Sequence, residues 1–309
     1  MSAASPVQLS IVHETHYRYS SPVALSQQLL HLTPRELPWQ HCDSHRIEVE
    51  PQTGEFEELG DYYGNRTVHL LLATPHESLL VRAQSEVSVE PHAQAALAGG
   101  QAQWEAVRAR LRTLDAPALV GPAEFLYESP HVERLRLLGD YAAKSFVEGR
   151  GIVDASLDLA RRIHKDFIFD RTATSVSTPL KQVMKERRGV CQDFAHLMVG
   201  CLRMLGLAAR YVSGYILTAP PPGRPRLVGA DASHAWASVW CGEERGWIDI
   251  DPTNNCLVDD NHVTLGWGRD FGDVTPMRGV ILGGGTQQLG VRVTVTPKID
   301  ARIESAQNG

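Results

Sequence analysis

Between Val7 and about Pro91, apolar and polar residues alternate with period two, in Leu9-Ser-Ile-Val-His-Glu-Thr-His-Tyr-Arg-Tyr, Arg46-Ile-Glu-Val-Glu, Val68-His-Leu-Leu-Leu and Val87-Ser-Val-Glu. Pro, Gly, Asn and Asp punctuate these runs, as strands joined by turns require. The pattern predicts a β-rich, sandwich-like first domain over residues 1–92. From His92 to about Gln103 the chain turns to Ala, Gly and Gln. That composition shift marks a linker running into a helix over Trp104 to Leu114, so residues 93–150 read as linker and helical connection.

Beyond it the period lengthens. In Asp154 to Phe167, the residues Leu157, Ala160, Ile163, His164 and Phe167 fall on one helical face. Thr178-Pro179 reads as an N-cap followed by proline at the first helical position, opening a segment that ends at Gly189. Phe194, Leu197, Met198, Cys201, Leu202 and Leu205 then repeat at three and four residues, with Gly206 as the stop. Cys191 thus stands at the start of a helix. Period two returns in Ala208 to Leu217, His234 to Cys241 and Trp247 to Asp251, with a rigid exposed loop, Pro220-Pro-Pro-Gly-Arg-Pro, between the first two. Leu289-Gly-Val-Arg-Val-Thr-Val is a further strand after a glycine run at 283–285. Residues 151–300 are therefore assigned to one α+β unit that includes these C-terminal strands, and 301–309 to a tail.

Composition narrows the functions open to such a chain. Its 309 residues are 43% hydrophobic and 21% charged, an ordinary globular balance with length for two domains. Lys and Arg total 30 against 36 Asp and Glu, with no long basic run, so no nucleic-acid partner is expected. The first residues lack a signal-peptide pattern and no window approaches 18 unbroken apolar residues, so the expectation is a cytoplasmic protein without a membrane partner. Five cysteines, with no C-x-x-C pair, argue against a disulfide framework or a zinc site. Asp193 and His196 lack further ligands at metal spacing, and no metal or cofactor is expected.

One thiol is distinguished by its place. A cysteine at a helix N-terminus faces unpaired N–H groups and the positive end of the macrodipole, both of which favour the nucleophilic thiolate. Cys191, in Arg187-Arg-Gly-Val-Cys-Gln-Asp-Phe-Ala-His, has this setting and the other four cysteines do not. Acyl transfer also needs an imidazole to move the proton and a polar group to orient it. His234 leads a strand, sharing a face with Trp236, Ser238 and Trp240. That strand and the one ending at Asp251 form a hairpin. A two-residue Gly242-Glu243 turn sets His234 opposite Asp251; a four-residue loop moves Asp251 one diagonal step away, still on the same face. Putting Asp249 opposite His234 leaves no room for a loop, so Asp251 is the better orienting acid. Asp193, Trp236 and Asp249 are supporting candidates, Trp236 either as a lining of an acyl groove or as core, the commoner place for an aromatic strand residue.

The segments Gly189-Val-Cys-Gln-Asp-Phe-Ala-His, His234-Ala-Trp-Ala-Ser-Val-Trp and Asp251-Pro-Thr-Asn-Asn resemble the Cys, His and Asp motifs of the bacterial transglutaminase-like superfamily. His13-Glu-Thr-His-Tyr-Arg-Tyr, Asp61-Tyr-Tyr-Gly-Asn and Gly268-Arg-Asp-Phe-Gly-Asp-Val-Thr-Pro extend the likeness over nearly the whole chain, to the subgroup with a β-rich N-terminal domain. The resemblance implies a papain-like core with Cys191 as nucleophile, His234 as base and Asp251 as orienter. It implies a cysteine protease or amidase acting on a peptide or small amide. Transamidation or deamidation of protein glutamine, and a non-catalytic scaffold whose N-terminal domain docks a protein partner, are the alternatives.

Overall fold

The computed structural model describes residues 5–52, 55–218 and 233–298. The expected proline-rich loop at Pro220 and the tail at 301–309 lie outside them. Two antiparallel sheets organise the chain. The first is built around one strand of 24 residues, β1 (Val7–Leu30), with β2 (Gln40–Glu50), β3 (Glu55–Gly60), β4 (Arg66–Leu72) and β5 (His76–Val89) in the order β2-β5-β1-β4-β3. The first half of β1 pairs with β5 and its second half with β4, and the register shifts between Arg18 and Val23. This lets a single sheet curl, and Tyr19, Val23, Leu30, Val68, Leu70, Leu79 and Val81 meet in one core inside it.

The second unit is α+β, with helices packed on an antiparallel sheet. Its helices are α1 (Trp104–Thr113), α2 (Arg136–Ala142), α3 (Ile152–Asp166), α4 (Leu180–Glu186) and α5 (Cys191–Met204), apart from short turns. Its sheet holds β6 (Ala209–Ile216), β7 (Ser233–Trp240), β8 (Trp247–Asp251) and β9 (His262–Gly268), in the order β8-β7-β6-β9 with Cys256–Leu257 outside β8. The apolar face of α5 packs on the sheet and closes a core with Ala237, Val239, Ile248 and Ile250. Trp104, Val107, Leu111, Phe125, Leu138, Tyr141 and Phe146 are buried in the same core. Much of the stretch expected as a connection is thus part of the second unit, because its apolar side chains have that core to fill. Pro179 is the N-cap of α4, with ψ 146°, rather than its first helical residue.

The chain's last described strands depart from expectation. β10 (Met277–Gly283) and β11 (Gln287–Pro297) hydrogen-bond to β1, β11 over Leu9–Tyr19 and β10 over Val23–Leu30. They complete the first sheet instead of extending the second. Local periodicity identifies a strand but carries no label for its partner.

The two units meet along a buried seam. Leu9, Ile11, Val87, Val89, Val293 and Val295 of the first sheet pack on Tyr215, Val263 and Leu265 of the second. Strand β9 lies at the edge of its sheet, and two buried amides of the first unit take up backbone groups there. Gln40 accepts from Thr264 N–H at 2.7 Å and donates to its carbonyl at 2.9 Å. Asn65 does the same with Trp267, at 2.9 Å in both directions. The side chains stand where a neighbouring strand would stand, blunting an edge that would otherwise invite pairing. His13 bonds the Tyr215 hydroxyl at 2.9 Å, and Arg35 stacks 3.6 Å from the centre of the Trp267 ring.

Candidate active site

Cys191 is the first residue of α5, after an extended Val190. The helix start is held by Asp193, whose carboxylate accepts from the Val190 N–H at 2.8 Å and from the Thr174 hydroxyl at 2.6 Å. A Cβ on Gly189 would lie 2.7 Å from that carboxylate, so the glycine is what allows Asp193 to fold back. Asp193 is buried, and burial moves its carboxyl above the usual range despite these bonds. It shapes the turn that presents Cys191.

The half-buried Cys191 sulfur lies 3.9 Å from the Ser233 carbonyl oxygen, which places it against the residue preceding His234. Across the hairpin, Trp240 pairs with Trp247 and Ser238 with Asp249. Cys241 N–H bonds the Gly246 carbonyl, closing the four-residue loop of the second register considered above. Asp251 sits one diagonal step from His234, and its Oδ2 is 2.7 Å from His234 Nε2. That leaves Nδ1 as the ring nitrogen for the thiol side.

Burial alone would strip the proton from His234. Hydrogen bonds to Asp251 and Cys191 and the charges of both overturn that effect and push its pKa up to about 10. Burial likewise disfavours the Asp251 anion, and bonds to His234 and His262 reverse this, holding the carboxyl far below the usual range. The carboxylate is fully enclosed. Its Oδ1 accepts from the Thr253 and Asn254 N–H groups at 2.8 and 3.1 Å, and its Oδ2 from the Asn254 amide at 2.6 Å and from His262 Nε2 at 3.3 Å. The Asp-Pro-Thr-Asn sequence supplies the first three donors as a local turn.

The other two supporting candidates pair with each other. The Trp236 indole N–H donates to Asp249 at 3.0 Å, so Asp249 serves the tryptophan rather than His234. Trp236 is fully buried, the core placement rather than the groove one. Its ring fills space left by Gly214, where a Cβ would come within 2.4 Å of it. His196 lies within α5 with its Nε2 accepting from the Phe271 N–H at 3.0 Å. Two participants carried no signal as strong as periodicity or spacing: Asn254, although it stands inside the quoted Asp motif, and His262, which a loop separates from it.

His234, Asp251 and His262 are also donor types that metals use, with their atoms within 4.8 Å of one another. The 2.7 and 3.3 Å separations are those of hydrogen bonds, and the shared oxygen already takes the Asn254 amide. The cluster is arranged to share protons. A cavity of about 870 Å³ lies at the far end of the hairpin, among Trp39, Arg110, Glu243 and Trp247, with Cys191, His234 and Asp251 outside its lining. Chemistry and cavity size point to different places, and a paired imidazole and thiol is the more informative of the two.

Residues 9–88 match the family model described as the bacterial transglutaminase-like N-terminal region, and residues 145–252 match that of the transglutaminase-like superfamily. An uncharacterized protein of Mycobacterium tuberculosis is 41% identical over 276 residues, covering 88% of this chain and 86% of its own length. One from Mycobacterium leprae is 32% identical over 295 residues, covering 94% and 98%. A protein-glutamine gamma-glutamyltransferase of Pseudomonas aeruginosa is 32% identical over 123 residues, 39% of this chain and 18% of that one. A solved structure from Cytophaga hutchinsonii, provisionally designated a cysteine protease, superposes with a TM-score of 0.73 at 20% identity, covering 97% of this chain and 93% of that one. No helix among the described residues is long and apolar enough to cross a membrane.

Proposed function

Because the chain belongs to the transglutaminase-like superfamily, in the group that carries the bacterial N-terminal region, we propose that it is a cysteine-dependent acyl-transfer enzyme that hydrolyses amide bonds. The observation that carries this reading is geometric: a buried imidazole lies 2.7 Å from a fully enclosed carboxylate and follows the residue whose carbonyl faces the thiol that opens α5, contacts that push its pKa up. A cation at His234 favours a sulfur anion at Cys191. The sulfur attacks the amide carbonyl carbon, and His234 gives its proton to the departing nitrogen as the C–N bond breaks, leaving a thioester. Water then adds to the thioester carbonyl and passes a proton to His234. The C–S bond breaks, releasing the acid and restoring the ion pair. Asp251 keeps the ring oriented throughout, and backbone N–H groups of the first turn of α5 are suited to the oxyanion.

All five cysteines are free thiols, which suits a reducing compartment such as the cytoplasm. Iodoacetamide labelling at mildly acidic pH, followed by peptide mapping, tests the nucleophile: Cys191 is expected to react far faster than Cys42 or Cys201. Equal rates refute the ion pair. The partial likeness to the P. aeruginosa gamma-glutamyltransferase favours transfer to an amine as the second reading. A peptide library incubated with and without a primary amine separates the two, since amine adducts that depend on Cys191 mean transamidation.

A further inference from the structure

Catalysis by a cysteine and histidine needs the orienting carboxylate to hold one rotamer, and a carboxylate tethered only through Oδ1 can still swing Oδ2 away. Here Oδ2 is shared by His234 at 2.7 Å, the Asn254 amide at 2.6 Å and His262 at 3.3 Å, and His262 is the one of the three that reaches it from the strand at the far edge, β9. We propose that His262 is a positioning residue, which acts through Asp251 to keep His234 aligned on Cys191; this rests on the acyl-transfer reading above. His262 is enclosed, with no exposed side-chain surface. Its Nδ1 accepts from the Asp259 N–H at 3.5 Å, which assigns the proton to Nε2 and makes that nitrogen the donor to Asp251. The edge of the Trp236 ring lies against it, with centres 5.4 Å apart, and the same indole lies 6.2 Å from His234. Trp236 is fixed in turn by Asp249. The two imidazoles and the carboxylate are thus clamped from three strands and one turn, β7, β8, β9 and the Thr253–Asn254 turn.

A space-filling role alone would be served by an apolar residue, since burying a polar ring is costly unless its nitrogens are bonded. Both nitrogens of His262 are bonded, and one of them is spent on the orienting acid. The titratable groups around the cluster are Cys191 from α5, Asp251 from β8, Cys256 beside it, and Asp259 and Asp260 from the loop before β9, with His92 facing Asp260.

The test needs no substrate. The rate of Cys191 alkylation by iodoacetamide is measured from pH 5 to 10 in the wild type, His262→Phe and His262→Gln, with thermal melts alongside. His262→Phe is expected to slow alkylation at pH 6 by about tenfold and move the acid limb of the profile upward, the scale of one hydrogen bond to a charged group. His262→Gln, whose amide restores an N–H donor, is expected to keep most of the wild-type profile. A folded His262→Phe with an unchanged profile, or a His262→Gln as slow as His262→Phe, overturns the proposal. If His262→Phe does not fold, nitrogen-15 spectra of the wild-type histidines decide: an Nε2–H tautomer at His262 supports the role and an Nδ1–H tautomer refutes it. A wild-type Cys191 no faster than Cys42 refutes the acyl-transfer reading instead, leaving the tautomer result to stand separately.

Discussion

Two buried histidines, His234 at the mouth of the hairpin and His196 within α5, show what burial does with and without partners. His196 is enclosed among aromatic rings, stacked on His131 at 5.5 Å, and receives a backbone N–H on Nε2. Burial pushes its pKa down to about 3, and the more distant charge of Asp270 does not recover it. His234 is almost as enclosed, yet a carboxylate at 2.7 Å and the neighbouring thiol push it up to about 10. The same side chain is therefore neutral in one region and cationic in the other at neutral pH. Contact with a charge, rather than depth, decides which of two buried histidines keeps its proton.

The contrast is broken most severely at the sulfur and the ring. Cys191→Ala and His234→Ala are each expected to lower amide turnover by about a thousandfold or more, measured on a peptide pool by mass spectrometry. Asp251→Asn comes next. It should cost about a hundredfold or more in turnover, and roughly 3 kcal/mol in stability by urea titration at pH 7, because the imidazolium loses its buried counter-charge. The sign follows from the raised His234 pKa: its stabilisation is complete below the unfolded value of about 6.5 and is lost as pH rises through about 10. The wild type should weaken over that alkaline window and Asp251→Asn should not.

His196→Gln sharpens the other side. The unfolded ring takes a proton near 6.5 and the folded ring only near 3, so the wild type loses roughly 1.4 kcal/mol per pH unit as acidity increases through that window. The variant should show a flatter acid limb in melts from pH 7 to 4. The smallest effect is expected from Trp236→Phe, which keeps an aromatic ring but leaves part of the indole's space empty and deletes its bond to Asp249, at about 2 kcal/mol by thermal melt.

The parts of this arrangement that local pattern encodes were legible in the sequence. Apolar residues at three and four fixed α5 and placed Cys191 at its start, and alternation plus loop length limited the hairpin to registers that keep Asp251 on the face of His234. Other contacts join residues whose spacing along the chain says nothing of their meeting. His262 reaches Asp251 only because the chain leaves β8 and returns as β9 on the far side of β6. Gln40 and Asn65 meet Thr264 and Trp267 across more than two hundred positions. Trp236 was legible only as groove lining or core, because its face was known and the vacancy at Gly214 was not.

The pairing of β1 with β10 and β11 also sets an order of events. As the chain emerges from a ribosome, β1 is made before the strands that cover its second edge, whose paired residues run from Leu30 with Met277 to Leu9 with Pro297. The unit bearing Cys191 and His234 is threaded between them, so it can collapse around α5 while the N-terminal sheet still has a bare flank. An unfinished molecule is thus exposed to edge-to-edge aggregation until its last strands arrive. Those strands also complete the seam, since Val293 and Val295 of β11 pack there with Val263 and Leu265 of β9, the strand that carries His262.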